Sequence, residues 1–201
     1  MKRIGRSILE SLPKVNEQEI DSLLKAEIEQ NPAKIVVLDD DPTGTQTVHD
    51  ISVYTDWSLE SIEGGFREKE KLFYILTNSR SMSREMTREV HREIAERTVA
   101  AAQNQNCPFL LISRCDSTLR GHYPLETQVL RETLEQHGYF VDGEILCPFF
   151  QAGGRYTIDN VHYVLYGDEL IPVADTEFAR DKTFGYRSSS LPDYIEEKTN
   201  G

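Results

Sequence analysis

The sequence predicts an α/β fold, a largely parallel sheet flanked by helices in three layers. Short apolar runs alternate with longer stretches in which apolar residues recur every three or four positions. Strands that alternate with helices in this way form parallel sheets, because a crossover helix leads from each strand to the next. We expect an α/β domain over residues 34–201, preceded by a helical extension over 1–33 and containing a β-hairpin region near the C-terminus.

The extension is predicted to be helical because Asn16 and Glu19 have the spacing of a capping box. The apolar residues that follow fall on one helical stripe, which consists of Ile20, Leu23, Leu24 and Ile28. We expect this stripe to pack either on the core of the same chain or on a partner subunit. The second arrangement would make the protein a homodimer.

Four short apolar runs predict buried strands at residues 35–38, 72–76, 109–112 and 145–147, and a fifth strand is predicted at 51–55. Ser83 and Ser190 are placed to cap helices, another helix follows Pro124, and residues 161–173 predict a hairpin around Gly167. Each of the four buried runs leads into a polar loop. Because the carboxyl ends of parallel strands meet at one edge of a sheet, we expect these loops to converge there.

Three consecutive aspartates, Asp39, Asp40 and Asp41, follow the first of these runs and precede Pro42. Adjacent carboxylates repel one another, so a site built from them requires a cation or several hydroxyl donors. A solvated acidic turn is the alternative, because aspartate is common in turns and helix caps. The residues themselves leave these two interpretations open.

Arginines recur in the other three loops, as Arg80, then Arg114 and Arg120, then Arg155. Arginine pairs in a bidentate manner with carboxylate or phosphate, so several arginines at one edge predict an anionic ligand. Together with aspartates and hydroxyl groups that accept or donate hydrogen bonds, they describe a pocket for a hydroxy acid such as a sugar acid. For any single arginine, a salt bridge to an acidic side chain is the simpler explanation.

Composition excludes several classes of partner. The net charge of −12 argues against a nucleic-acid surface and against an anionic membrane. The three cysteines contain no C-x-x-C pair, which favours free thiols, and no histidine or cysteine spacing indicates a metal site. Without a signal-like or membrane-length apolar segment, the sequence predicts a cytoplasmic protein.

Four motifs in order give the sequence a family resemblance. They are Asp-Asp-x-Thr-Gly (Asp40, Asp41, Thr43, Gly44), the Thr-Asn-Ser-Arg-Ser run at 77–81, Asp-Ser-Thr-Leu-Arg-Gly at 116–121, and Gly-Arg-x-Thr (Gly154, Arg155, Thr157). With these motifs the chain resembles the four-carbon acid sugar kinase family, which includes 3-oxo-tetronate kinases and D-threonate or D-erythronate kinases. Members usually carry lysine at the position of Arg114, so this chain departs from the pattern there.

The resemblance implies the sugar-acid-binding, N-terminal domain of an ATP-dependent kinase that phosphorylates a hydroxyl of a four-carbon sugar acid. ATP and Mg²⁺ would be held with a C-terminal nucleotide-binding domain, because this chain has no G-x-x-x-x-G-K-[ST] loop. We expect the chain alone to bind the acid and to turn over little or nothing. The implied catalytic residues are Asp40 and Asp41. The implied substrate-binding residues are Thr43, Gly44, Asn78, Ser79, Arg80, Arg114, Asp116, Ser117, Arg120, Gly154 and Arg155.

Two alternatives remain from the residues. A haloacid-dehalogenase-type phosphatase would use Asp39 as nucleophile and Asp41 as acid/base, with Thr77 in its second motif. That hypothesis lacks a lysine after the third strand and leaves the 116–121 and 153–157 motifs unexplained. The other alternative is a non-catalytic module that binds a ligand or assembles with a partner.

Overall fold

The computed structural model describes residues 1–201 and contains two four-stranded sheets. The strands are β1 (Ile4–Gly5), β2 (Lys34–Asp39), β3 (Val53–Tyr54), β4 (Leu72–Leu76), β5 (Phe109–Arg114), β6 (Arg155–Ile158), β7 (Val161–Tyr166) and β8 (Glu169–Pro172). The α-helices are α1 (Glu17–Gln30), α2 (Leu59–Arg67), α3 (Arg84–Asn104), α4 (Leu125–Gln136) and α5 (Leu191–Thr199). The predicted α/β fold class is confirmed.

One of the two sheets is parallel, with the strand order β3-β4-β2-β5. Strand β2 lies between β4 and β5, and Asp39 at its end is in register with both Leu76 and Arg114. The carboxyl ends of these three strands therefore lie side by side. As the sequence predicted, the loops that follow them meet at one edge.

Helices α2, α3 and α4 cover one face of this sheet. Val36 of β2 and Phe73 of β4 are fully buried there against Ile62 of α2, Ile94 of α3 and Leu130 of α4. Alternate residues of a strand lie on the same face of a sheet, so every second residue in the apolar runs of β2 and β4 points toward these helices. The close-packed core fixes the positions of the strand ends.

The second sheet is antiparallel, with the order β1-β8-β7-β6. Strands β7 and β8 form the predicted hairpin, and Gly167 in its turn has a φ of 57°, a conformation that glycine adopts without strain. Strand β1 comes from the N-terminal extension and pairs with β8, an interaction that the sequence did not indicate. Tyr194 of α5 and Val164 of β7 contribute to a separate small core beneath this sheet.

The predicted helix caps are confirmed. The Asn16 side chain accepts a hydrogen bond from the Glu19 amide, as a capping box requires. Ser83 caps α3 and Ser190 caps α5 in the same way. None of the helices combines the length and apolarity that crossing a membrane requires.

The strand predicted at residues 145–147 is wrong. Residues 141–149 form no regular element, and Ile145 is 94% exposed. A three-residue apolar run between Gly143 and Pro148 is too short to hold a strand, and proline has no N–H to donate to a ladder. Arg155 consequently begins a strand of the antiparallel sheet and does not follow a parallel strand.

The apolar stripe of α1 does not pack on the core. Its four residues are 43–60% exposed, and no residue of α1 is buried. Helices α2, α3 and α4 fill one face of the parallel sheet, and no residue of the stripe belongs to that core. Packing of the stripe on a partner subunit stays a prediction.

We expect Gly65→Ala to destabilise the protein by about 1–3 kcal/mol, because overpacking a core displaces its neighbours. A Cβ at Gly65 would lie 2.6 Å from the ring of Phe73, which is fully buried. Gly64→Ala on the same helix is the matched control, since its Cβ would meet only the tip of Tyr54 at 3.2 Å. It should change the free energy of unfolding by less than about 1 kcal/mol. Urea unfolding measures both, and equal effects would contradict the packing described here.

Candidate functional site

The loops that follow β2, β4 and β5 are bound to one another through their backbones. The Thr77 amide donates to the Asp39 carbonyl at 2.8 Å, and the Arg80 amide donates to the Asp40 carbonyl at 3.3 Å. On the other side, the Asp40 amide donates to the Arg114 carbonyl at 3.2 Å. The acidic loop is therefore held between the two loops that carry arginine.

Asp39 is buried beneath this loop and is paired with Arg114, whose Nη1 lies 3.2 Å from Oδ1. Its Oδ2 atom has no hydrogen-bond partner, and burial raises the pKa of this carboxyl group. A Cβ at Gly44 would collide with that oxygen. Glycine is therefore required at position 44 because its backbone approaches Asp39 closely. Gly44 does not line the cavity described below.

Asp40 and Arg80 form a bidentate pair. Arg80 Nε donates to Oδ2 at 2.9 Å and Nη2 donates to Oδ1 at 2.7 Å. Asp40 is only 3% exposed, and burial raises its pKa to about 7 although Arg80 opposes the shift. Asp40 therefore takes up a proton near neutral pH, which removes the negative charge of this ion pair.

Asp41 is the more accessible of the two predicted catalytic aspartates, with 27% of its side chain exposed. Its Oδ1 accepts a hydrogen bond from the Thr43 amide at 2.8 Å and so caps the short 3₁₀ helix Pro42–Thr45. The Thr43 side chain, and to a smaller extent this amide, lower the pKa of Asp41. Its Oδ2 lies 3.4 Å from Arg80 Nη1.

A cavity of about 470 Å³ opens beside these loops. It is lined by Thr43, Gln46, Thr47, Arg80, Arg114, Asp116, Ser117, Phe150, Ala152, Gly153 and Arg155. Three guanidinium groups thus face the cavity with a single carboxylate, although the whole chain carries a net charge of −12. The local balance favours a small anionic ligand with hydroxyl groups.

Asp116 is oriented by Arg120, whose Nε donates to Oδ2 at 2.6 Å, and by the hydroxyl of Thr118. The Arg120 guanidinium lies 4.9 Å from the centre of the Phe178 ring, in a cation–π contact. Arg120 is not part of the cavity lining. In this arrangement its contact with the cavity runs through Asp116.

Arg155 reaches the cavity through a tight turn. Gly154 has a φ of 73°, and the Arg155 guanidinium donates to the Gly153 carbonyl. The Nε atom of Arg155 is buried without a partner. Of the three cavity arginines, Arg155 is the one that no carboxylate holds.

The other predicted residues divide between the cavity and its surroundings. Thr43 and Ser117 line the cavity, and the Ser117 carbonyl lies 2.8 Å from His162 Nε2. Asn78 is exposed and Ser79 is fully buried, with its hydroxyl donating to Glu126 at 2.9 Å, and neither is part of the cavity lining. Their substrate-binding roles stay predictions.

Sequence reasoning missed several residues of the site. Gln46 and Thr47 line the cavity because the 3₁₀ turn continues past the Asp-Asp-x-Thr-Gly motif. Phe150 and Ala152 line it from the turn that leads to Gly154. Glu126 is buried behind the site, and the preceding residue of the helix, Leu125, is buried as well. Nothing in the helical pattern distinguishes a buried glutamate there from a surface one.

The geometry opposes the phosphatase hypothesis. A nucleophilic Asp39 would need an oxygen open to the substrate, but this residue is 1% exposed, paired with Arg114 and covered by Gly44. Elsewhere in the chain, no three or more histidine, cysteine, aspartate or glutamate side chains come together in an arrangement that could hold a metal ion.

We expect Asp40→Asn to change how stability depends on pH. In the folded protein the pKa of Asp40 is about 7, above its ordinary value of 3.8, so the native state binds the additional proton between these values. The Asp40 contribution to stability is therefore present at low pH and is lost as pH rises through about 7. From about pH 5 to about pH 8, the wild type should lose at least about 1 kcal/mol relative to the variant, in urea unfolding. Parallel curves for the two proteins would contradict the assignment.

Comparison with solved structures supports the fold. A crystal structure of a domain of unknown function, DUF1537, from Bordetella bronchiseptica superimposes with a TM-score of 0.58 at 24% sequence identity. The match covers 80% of this chain and 39% of that chain, so this chain spans well under half of the length of its structural relative. That structure contains bound citrate and is a domain-swapped dimer. No curated protein matches the sequence.

The sequence also matches a family model described as a sugar-binding N-terminal domain, over residues 35–201. The match includes both sheets except β1, together with every loop around the cavity. The chain therefore belongs to the family of sugar-binding N-terminal domains.

Proposed function

We propose that this chain is the sugar-acid-binding domain of an ATP-dependent kinase that phosphorylates a hydroxyl of a four-carbon, tetronate-type sugar acid. The observation that carries the proposal is the cavity in which Arg80, Arg114 and Arg155 surround one carboxylate, Asp116. Arginine is suited to a planar carboxylate ligand, whereas Asp116 accepts hydrogen bonds from hydroxyl groups. Membership of a sugar-binding family supports the same ligand class.

Within the cavity, we assign the ligand carboxylate to the side of Arg114 and Arg155. Arg155 has donors that no acidic side chain occupies, so binding an anion there breaks no internal ion pair. The ligand hydroxyls would then meet Asp116, Ser117 and Thr43, which line the same cavity. Citrate in the structural relative is itself a hydroxy acid, in agreement with this chemistry.

The predicted catalytic aspartates take different parts in this proposal. Neither aspartate is part of the cavity lining, but Asp41 is partly exposed and lies two residues from Thr43, which does line it. We therefore assign to Asp41 the acceptance of a hydrogen bond from the reacting hydroxyl. Asp40 is enclosed by Arg80, so it acts by holding that guanidinium or, once protonated, by releasing it. Both assignments remain part of the proposal.

ATP and Mg²⁺ belong to the part of the kinase that we propose as a partner, a C-terminal nucleotide-binding domain. The family description as an N-terminal domain and the greater length of the structural relative support such a partner. When bound there, ATP supplies the phosphoryl group and Mg²⁺ balances its charge. The residues of this chain bind and orient the acceptor. A cytoplasmic location, without nucleic-acid or membrane partners, is part of the same proposal.

We expect Arg155→Ala to weaken the binding of the sugar acid by about tenfold or more, because a charge-assisted hydrogen bond is lost. Calorimetric titration with D-erythronate, D-threonate and a 3-oxo-tetronate measures the effect. Arg67→Ala is the matched control, since Arg67 lies on α2 and pairs with Glu63. It should leave the affinity unchanged.

Saturable binding of one acid that Arg155→Ala weakens would support the proposed pocket. Affinity that is equal in wild type and Arg155→Ala would contradict the assignment of the ligand. If none of the three acids binds this chain or a longer protein that includes the nucleotide-binding domain, the kinase proposal is wrong.

We also propose that the protein forms a homodimer through the apolar stripe of α1. Leu23 and Leu24 are 60% and 56% exposed, which leaves adjacent large apolar side chains in contact with water. The dimeric state of the structural relative supports an assembly of copies. We expect Leu23→Asp with Leu24→Asp to convert a dimer into a monomer in light scattering, whereas exposed Leu110→Asp on β5 should not. A wild-type monomer at micromolar concentration would contradict this proposal.

A further inference from the structure

A buried glutamate of α4 lies directly behind the site. Glu126 is 1% exposed and both of its oxygens have partners. The Ser79 hydroxyl donates to Oε1 at 2.9 Å, and the Cys115 thiol donates to Oε2 at 2.9 Å. His91 Nε2 lies 3.7 Å from Oε1.

These partners belong to the loops that carry the site. Ser79 immediately precedes Arg80 in the loop after β4, and Cys115 lies between Arg114 and Asp116 in the loop after β5. One carboxylate therefore connects the two loops next to Arg80 and Arg114, two of the three cavity arginines. Because each loop contacts a different oxygen, moving either loop would break its own hydrogen bond to Glu126.

The burial of this carboxylate is not explained by packing. The neighbouring buried residues of α4, Leu125, Val129 and Leu130, already provide its apolar face. Burying a carboxylate costs free energy, and an apolar residue of similar size is often equally stable in such a position. A role in the site accounts for a glutamate here, since removing it would leave the donors of Ser79 and Cys115 unpaired.

Glu126 also acts on Asp40 through space. Burial is the largest cause of the raised pKa of Asp40, and the negative charges of Glu126 and Asp39 raise this pKa further. Arg80 opposes the shift. His91 also lies near Glu126, and burial lowers the pKa of its imidazole although the charge of Glu126 opposes this shift. The titratable groups that face Asp40 are Arg80, Asp39, Cys115 and Glu126; those that face Glu126 are His91, Cys115, Tyr194 and Asp40.

We propose that Glu126 is a positioning residue of the sugar-acid site, which fixes the two arginine loops and controls how readily Arg80 leaves Asp40 for an anionic ligand. When Asp40 takes up a proton, its ion pair with Arg80 is lost, and the guanidinium can donate to another oxygen of the ligand whose carboxylate is bound by Arg114 and Arg155. The charge of Glu126 keeps that proton on Asp40 at higher pH, so Arg80 is available near neutrality. The inference rests on the proposed function for the identity of the ligand, whereas the titration of Asp40 does not depend on any ligand.

The first test follows the ¹³Cγ resonance of Asp40 by NMR in the ligand-free protein, assigned by its absence in Asp40→Asn. We expect a midpoint of about 7 in the wild type. Glu126→Gln keeps the size of the side chain but removes its charge, and should lower the midpoint by at least about half a pH unit. Glu132→Gln, farther along the same helix, should not. An unchanged midpoint in Glu126→Gln would overturn the electrostatic part of the inference.

The second test measures the pH profile of D-erythronate affinity by calorimetry. Affinity should increase as pH falls through about 7 in the wild type and in Glu132→Gln. Glu126→Gln should shift this profile to lower pH and raise Kd at neutral pH by about threefold or more. Ser79→Ala keeps the charge and cuts one contact, so it should raise Kd without moving the midpoint. A purely structural role of Glu126 would not shift the profile.

The outcomes separate this inference from the proposed function. If wild type binds none of the acids, the proposed function fails, and the NMR midpoints still decide whether Glu126 acts on Asp40. If wild type binds and both Glu126→Gln and Ser79→Ala have unchanged affinity and midpoints, the inference fails alone. Should Glu126→Gln not fold, an unchanged affinity in Ser79→Ala would overturn the positioning role.

Discussion

The neutralisation of consecutive carboxylates at the end of one buried strand is the constraint on which the site depends. Asp39 and Asp40 are both nearly inaccessible to water, and unpaired charges there would be very costly. Arg114 meets the first and Arg80 meets the second, each from a neighbouring strand loop. The acidic loop therefore brings the two guanidinium groups to the same edge of the sheet.

This neutralisation is incomplete, and that has chemical consequences. Arg80 and Arg114 each retain exposure toward the cavity while bound to an aspartate, and Arg155 arrives from the antiparallel sheet with no acidic partner. An excess of positive charge is thus maintained in a chain that is strongly acidic as a whole. The ligand carboxylate meets Arg114 and Arg155, which the protein scaffold has already positioned, and Arg80 joins them when it leaves Asp40.

The parts of the fold that follow local rules could be predicted from the sequence. Strands β2, β4 and β5 were evident from short β-branched and apolar runs, and the caps at Asn16 and Ser83 from residue spacing. The strand at 145–147 was wrong because a three-residue run carries too little information about pairing. Arg155 was placed near the site on the basis of that strand, and it lies there for another reason, the turn at Gly154.

The tertiary contacts of the site could not be predicted in the same way. Asp40 is paired with Arg80, whereas Asp116 faces the cavity. This difference depends on side-chain directions, which the order of residues does not specify. The partners of Glu126 are 47 and 11 residues away along the chain, so no local pattern identifies them. The stripe of α1 has the periodicity of a packed helix, and only the exposure of its side chains in the structure shows that this chain does not bury it.

A crystal structure of the chain in complex with a four-carbon sugar acid would test the central claim most directly. The account predicts that the ligand carboxylate contacts the guanidinium groups of Arg114 and Arg155, with at least one ligand hydroxyl on Asp116. A ligand bound elsewhere, or one whose hydroxyls face the arginines while its carboxylate points to solvent, would contradict it.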